Sequence, residues 1–86
     1  MEISVELTLT PLQNEFETPI VEFIKALRTS GCKVLENPLS TQIYGDFDTL
    51  MSFLTPTIKK TFLSCEHVVL QMKIVKSNRS QYVPHF

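Results

Sequence analysis

The sequence predicts an α+β domain with the element order β-α-β-β-α-β. Three observations carry this. Residues 2 to 10 and residues 67 to 75 alternate in polarity, the period of half-buried strands. Between them, Ile20, Phe23, Ile24 and Leu27 recur at helical spacing, and so do Leu50, Phe53, Leu54, Ile58 and Phe62. In the middle, "NPL" separates two short β-prone stretches and reads as the turn of a hairpin.

Each element has its own signals. In the first strand Ile3, Val5, Leu7 and Leu9 point one way and Glu2, Ser4, Glu6, Thr8 and Thr10 the other, until Pro11, which cannot donate to a ladder. The first helix has Thr18 as N-cap and Pro19 at its first position, or starts earlier, near Asn14, and Gly31 reads as its C′ residue. "CKVLE" and "STQIYG" are the hairpin strands. In "NPLSTQIYG", Thr41 falls in phase with Leu39 and Ile43, which places a hydroxyl on the core side. Asp46 or Asp48 caps a second helix. Pro56 either kinks it or divides it in two, with Thr55 capping the second piece. In the last strand Val68, Leu70, Met72 and Ile74 face one side and His67, Val69, Gln71, Lys73 and Val75 the other. Residues 1–76 thus form one domain, and 77–86, without a period, form a C-terminal tail that is loose or leans on a neighbouring chain.

This order is the ferredoxin-like arrangement. Right-handed crossovers put both helices on one face of a four-stranded antiparallel sheet of order 4-1-3-2. The end of the first strand, near Leu9, then lies beside the start of the third, near Ser40 and Thr41, with the start of the first helix above the same corner. Thr41 belongs at the rim of the core.

Bulk properties narrow the function. The chain has 86 residues, 43% of them apolar and 20% charged, an ordinary globular composition. A formal net charge of −1 argues against a nucleic-acid partner. No apolar run spans a bilayer, and the N-terminal residues read as a strand, not a signal peptide, so a cytoplasmic protein without membrane partners is expected. Cys32 and Cys65 match no metal spacing and read as reduced thiols. The open sheet face lacks the aromatic platform of an RNA-recognition module. "TPLQNEF" has neither the Cys-x-x-Cys of a metal carrier nor the arginine of an acylphosphatase-like site. His67 and His85 are the only histidines, and no catalytic constellation can be assembled from them. No enzyme activity, metal or cofactor is expected. Glu6 on the open face reads as the cross-strand partner of Lys73, or else as a contact for a cationic group of a ligand. Leu35, Tyr44 and Val69 on the open face suggest a homodimer or homotetramer with sheets facing.

The first strand ending in "LTLTP", a helix, and then the Ser-Thr step and Gly-acidic helix start in "LSTQIYGDFDTL" resemble the YkoF-like thiamine-binding domains. The resemblance covers about residues 3 to 75 and is to the single-domain members. It implies a non-catalytic protein that binds thiamine or its hydroxymethylpyrimidine part at the corner described above. Carried onto this sequence, the binding positions are Thr8, Leu9, Ser40 and Thr41. The alternative is a structural or regulatory homo-oligomerisation domain without a small ligand.

Overall fold

The longest alternating stretch of the sequence becomes a central strand of the sheet. In the computed structural model, which describes all 86 residues, that stretch is β1 (Glu2–Pro11). The chain continues through α1 (Glu17–Arg28), β2 (Lys33–Glu36), β3 (Thr41–Asp46), α2 (Phe47–Ser64) and β4 (Val68–Val75). The sheet order is β2-β3-β1-β4 with every pairing antiparallel, the expected 4-1-3-2 seen from the other edge. Ile3, Val5, Leu7 and Ile43 of the sheet meet Phe23 and Leu27 of α1 and Leu50 and Leu54 of α2 in one buried cluster. Burial of each such side chain is worth roughly 1.5–3 kcal/mol. No helix is long and apolar enough to cross a membrane.

Two main-chain hydrogen bonds fix which way β1 points its peptide groups. The N–H of Phe47 donates to the Met1 carbonyl at 2.7 Å, and the N–H of Leu12 donates to the His67 carbonyl at 2.8 Å. By alternation, odd residues of β1 present N–H and C=O towards β3 and even residues towards β4. Pro11 is odd, so its missing N–H lies on the side away from β4. The ladder to β4 therefore runs on through Pro11 opposite Val68, one residue beyond the expected stop. The ladder to β3 stops earlier, at Leu7 opposite Thr41.

The helix ends differ from the sequence expectation in detail. Phe16 occupies the N-cap position of α1 without a side-chain bond. Glu15 does the capping instead: its carboxylate accepts both the N–H and the hydroxyl of Thr18 at 3.0 Å. Pro19 then sits in the first turn, where no intrahelical N–H is needed. Gly31, with φ of 78°, follows the C-cap Thr29 by two residues and occupies the C″ position, not C′. Asp46 caps α2 by accepting the Thr49 N–H at 3.2 Å.

α2 runs unbroken through Pro56. Thr55 and Thr57 cap nothing there; their hydroxyls donate to the Met51 and Phe53 carbonyls one turn back. The carbonyl that Pro56 leaves without a donor belongs to Ser52, an exposed residue that water reaches. Thr61, not Phe62, completes the buried stripe, and Phe62 is 45% exposed. Eleven residues from Leu50 bring a helix back to within about 20° of its starting direction, and twelve carry it about 120° away.

The first residues after β4 lie against their own chain. The Ser4 hydroxyl donates to the Ser77 carbonyl at 2.7 Å and accepts the Arg79 N–H at 2.8 Å, and the Asn78 amide donates to Glu2 at 3.0 Å. Tyr44, opposite Ser4, is only 8% exposed, so a residue expected against another subunit is buried within its own chain.

Two measurements check these assignments. Leu54→Ala should lower stability by about 2–5 kcal/mol, whereas Phe62→Ala should cost far less; denaturant midpoints at constant m read the difference. The carboxyls of Glu15, Asp46 and Glu36 are all held below their ordinary values. Thr18 does this for Glu15, the Thr49 N–H first for Asp46, and the Arg28 guanidinium, 2.7 Å away, for Glu36. A depressed carboxyl contributes stability that is fully present above its unfolded value and lost as pH falls through the folded one. The melting temperature should therefore hold above pH 4.5, the ordinary Glu value, and fall below it. A protein carrying Glu15→Gln and Asp46→Asn should show a shallower fall.

Candidate functional site

Where β3 ends short of β1, the sheet and α1 leave a cavity of about 280 Å³. Leu7, Thr8 and Leu9 border it from β1, Ile20, Phe23 and Ile24 from α1, and Asn37 to Thr41 from the β2–β3 turn and the start of β3. No charged side chain lines it. All four residues singled out from the sequence come together here, but they present different atoms.

Thr41 is 6% exposed, opposite Leu7 on the helix-covered face. Its hydroxyl makes no hydrogen bond within the chain. Yet no fully buried polar atom of the protein lacks a partner, so this hydroxyl borders open space. Leu9, half-buried, is odd in β1, and its N–H and C=O point past the end of β3, where no strand partner stands. A donor, an acceptor and a hydroxyl that is both thus meet at one corner of an apolar cavity. Thr8, by alternation, sends its side chain to the open sheet face, so its main chain is what borders the cavity. Ser40 borders it too, but its hydroxyl is engaged elsewhere: it donates to Glu6 at 3.0 Å and accepts from Gln42 at 2.6 Å. Glu6 therefore bonds Ser40, and forms no ion pair with Lys73 although the two sit opposite each other.

Asn37, Pro38 and Leu39 belong to this wall without having been marked by the sequence pattern. Strand alternation extended back from Thr41 puts Leu39 on the core side, but it lies in the turn and is 85% exposed. The signal was Asn37 itself: its side-chain oxygen accepts the N–H groups of Leu39 and Ser40, an Asx turn that stops the alternation.

A larger space, about 670 Å³, runs between the outer faces of α1 and α2 and carries Glu22, Lys25 and Lys60. Its hydroxyls are already bonded: Thr18 donates to Glu15, just before α1, and the others bond within their own helices. Thr29 donates to Ala26, Thr57 to Phe53, Thr61 to Thr57 and Ser64 to Thr61. It offers no free hydroxyl of the kind found at Thr41, and the corner cavity is the better candidate.

The sequence model of the family described as thiamine-binding protein matches residues 5–82. Among solved structures, a Streptococcus pneumoniae protein aligns with a TM-score of 0.83 and 25% identity, over 91% of this chain and 89% of its own. A Thermotoga maritima protein provisionally assigned to thiamine biosynthesis or salvage gives a TM-score of 0.78 at 20% identity, over 86% of this chain and 82% of its own. A Bacillus cereus domain of unknown function covers 99% of this chain and 84% of its own at 16% identity, with a TM-score of 0.75. No curated protein matches the chain.

Since the Thr41 hydroxyl has no partner within the chain, Thr41→Val should leave the unfolding free energy within about 0.5 kcal/mol of the parent or raise it. A loss of about 1 kcal/mol or more in denaturant titration would show that the hydroxyl is bonded internally.

Proposed function

We propose that this chain, which belongs to the thiamine-binding protein family, holds the aminopyrimidine part of thiamine, or free hydroxymethylpyrimidine, in the corner cavity without catalysing a reaction. One observation carries the reading. The cavity is uncharged and more than half of its lining residues are apolar; the Asn37 and Ser40 side chains on it are already hydrogen-bonded within the chain, which leaves the Thr41 hydroxyl and the strand edge at Leu9 to meet a ligand. An aminopyrimidine presents ring nitrogens that accept and an exocyclic amine that donates. The Leu9 N–H and C=O suit one acceptor and the amine; the Thr41 hydroxyl suits a second ring nitrogen. Ile20, Phe23 and Leu7 offer apolar surface to the ring faces. The lack of charge favours the neutral pyrimidine over the cationic thiazolium or a phosphate, which stay at the mouth. No group in the wall is suited to act as a general acid or base, which favours binding over turnover.

Two further features belong to this proposal. Leu35 and Val69 stay exposed on the open sheet face, and we infer that two or four copies associate there. Both cysteines are unpaired, which suits a reducing, cytoplasmic setting.

Calorimetric titration with thiamine and with hydroxymethylpyrimidine tests the reading. Saturable binding is expected, weakened in Thr41→Val by about 0.5–1.5 kcal/mol, the worth of one hydrogen bond. The affinity for hydroxymethylpyrimidine should be nearly independent of salt, since no charged group meets it. Absence of binding of either compound at millimolar concentration would remove the ligand and leave an oligomerisation domain as the better explanation.

A further inference from the structure

The turn that walls the corner cavity is held from the other face of the sheet. Asn37, Pro38 and Leu39 are all exposed and have little packing to fix them. Hydrogen bonds fix them instead. The Asn37 N–H donates to the Ser40 carbonyl at 3.1 Å. The Asn37 side-chain oxygen accepts the Leu39 and Ser40 N–H groups at 2.9 and 3.0 Å. The Asn37 amide nitrogen in turn donates to the Gln42 side-chain oxygen at 3.3 Å, and the Gln42 amide donates to the Ser40 hydroxyl at 2.6 Å. That hydroxyl donates to the Glu6 carboxylate at 3.0 Å. Asn37, Ser40 and Gln42 are all used, and the line ends on one charged group, 34 residues away in the chain and in a different strand.

Glu6 does not border the cavity. Alternation puts it on the open face, between Val5 and Leu7, which face the core. It forms no ion pair. Accepting from Ser40 is the one hydrogen bond its carboxylate makes. A hydrogen bond to a carboxylate is stronger than a neutral one, and here it orders the donors behind it.

We propose that Glu6 is a positioning residue for the corner cavity: from the far face of the sheet, through Ser40, Gln42 and Asn37, its carboxylate fixes the turn that forms the cavity wall. Without it Ser40 is released, the side chains behind it lose their common anchor, and the turn samples more conformations. A ligand that meets this wall must then order it on binding, which lowers affinity. Whatever covers Glu6 on the open face acts on the cavity by the same route. The affinity part rests on the pyrimidine reading above; the ordering of the turn does not.

The test uses the whole chain with Glu6→Ala, Glu6→Gln and Lys73→Ala, each checked for cooperative unfolding. Amide hydrogen exchange at Asn37, Leu39 and Ser40 is measured without ligand, and calorimetry follows with hydroxymethylpyrimidine. Glu6→Ala should speed exchange at these three amides and weaken binding roughly tenfold, the scale of one charge-assisted hydrogen bond partly lost. Glu6→Gln should restore most of both, because its amide oxygen still accepts from Ser40. Lys73→Ala should change neither. Unchanged exchange in Glu6→Ala overturns the proposal, and so does faster exchange with unchanged affinity. If the parent protein binds no pyrimidine, the ligand reading fails by itself, and exchange alone decides: acceleration in Glu6→Ala with recovery in Glu6→Gln supports the positioning role, and its absence refutes it.

Discussion

A mismatch of strand lengths governs the rest of this structure. β1 pairs with β4 as far as Pro11 but with β3 only as far as Leu7. Four residues of β1, Thr8 to Pro11, therefore run on with one edge unpaired, under the start of α1. Had β3 begun two residues earlier, Leu39 would have paired with Leu9 and the corner would be ordinary sheet. The Asx turn at Asn37 prevents this by turning the chain away at Pro38 and Leu39. The cost is a strand edge at Leu9 without a strand partner and a threonine hydroxyl without a bond. Neither group is sealed in the interior, where polar atoms are paired as a rule; both border open space. Groups so placed are found where a ligand or water supplies the missing partner.

The fold is legible in the sequence because its signals are local. Periods of two and of 3.6 residues mark β1, α1, α2 and β4 directly, and right-handed crossovers then leave one sheet order. The position of Thr41 is legible by the same logic, from its phase with Ile43. The features that escape sequence reasoning are set by contacts distant in the chain or by the geometry of a turn. Alternation misplaces Leu39 because it carries the strand period through a turn that breaks it. Thr18 has the residue type of a cap, but the sequence does not show that Glu15 reaches its N–H first. The direction of the Ser40 hydroxyl depends on Glu6, and no period in the sequence links those two residues. Pro56 is expected to disturb α2; the helix stays whole because the carbonyl it orphans is on the wet side.

Charge is kept to the periphery of this small protein. It has nine acidic and eight basic residues, and none of them lines the corner cavity. The carboxylates with the clearest structural work stand at helix starts, as Glu15 and Asp46 do, or bridge α1 to β2, as Glu36 does with Arg28. At a helix start a carboxylate meets free N–H groups and the positive end of the dipole, so it stabilises without being buried. The groove between the helices, by contrast, carries Glu22, Lys25 and Lys60. These two spaces therefore differ in kind: the smaller has no charged side chain on its wall, and the larger carries both signs.

The sheet is one peptide layer thick, so neighbouring residues in a strand serve opposite faces. Ser40 and Thr41 divide their work accordingly. Two consecutive hydroxyl residues look redundant in the sequence, as if one site needed both. Ser40 instead turns its hydroxyl to the open face, where Glu6 and Gln42 take it, while Thr41 turns towards α1 and the cavity. The Ser-Thr step is thus a two-sided device: one hydroxyl holds the strand entrance in place, and the other remains free beside the space so formed. Glu6 and Leu7 repeat the arrangement on β1, a carboxylate on one side and a cavity wall on the other. The two faces of this corner share one main chain: the residues that shape one are the immediate neighbours of those that hold the other.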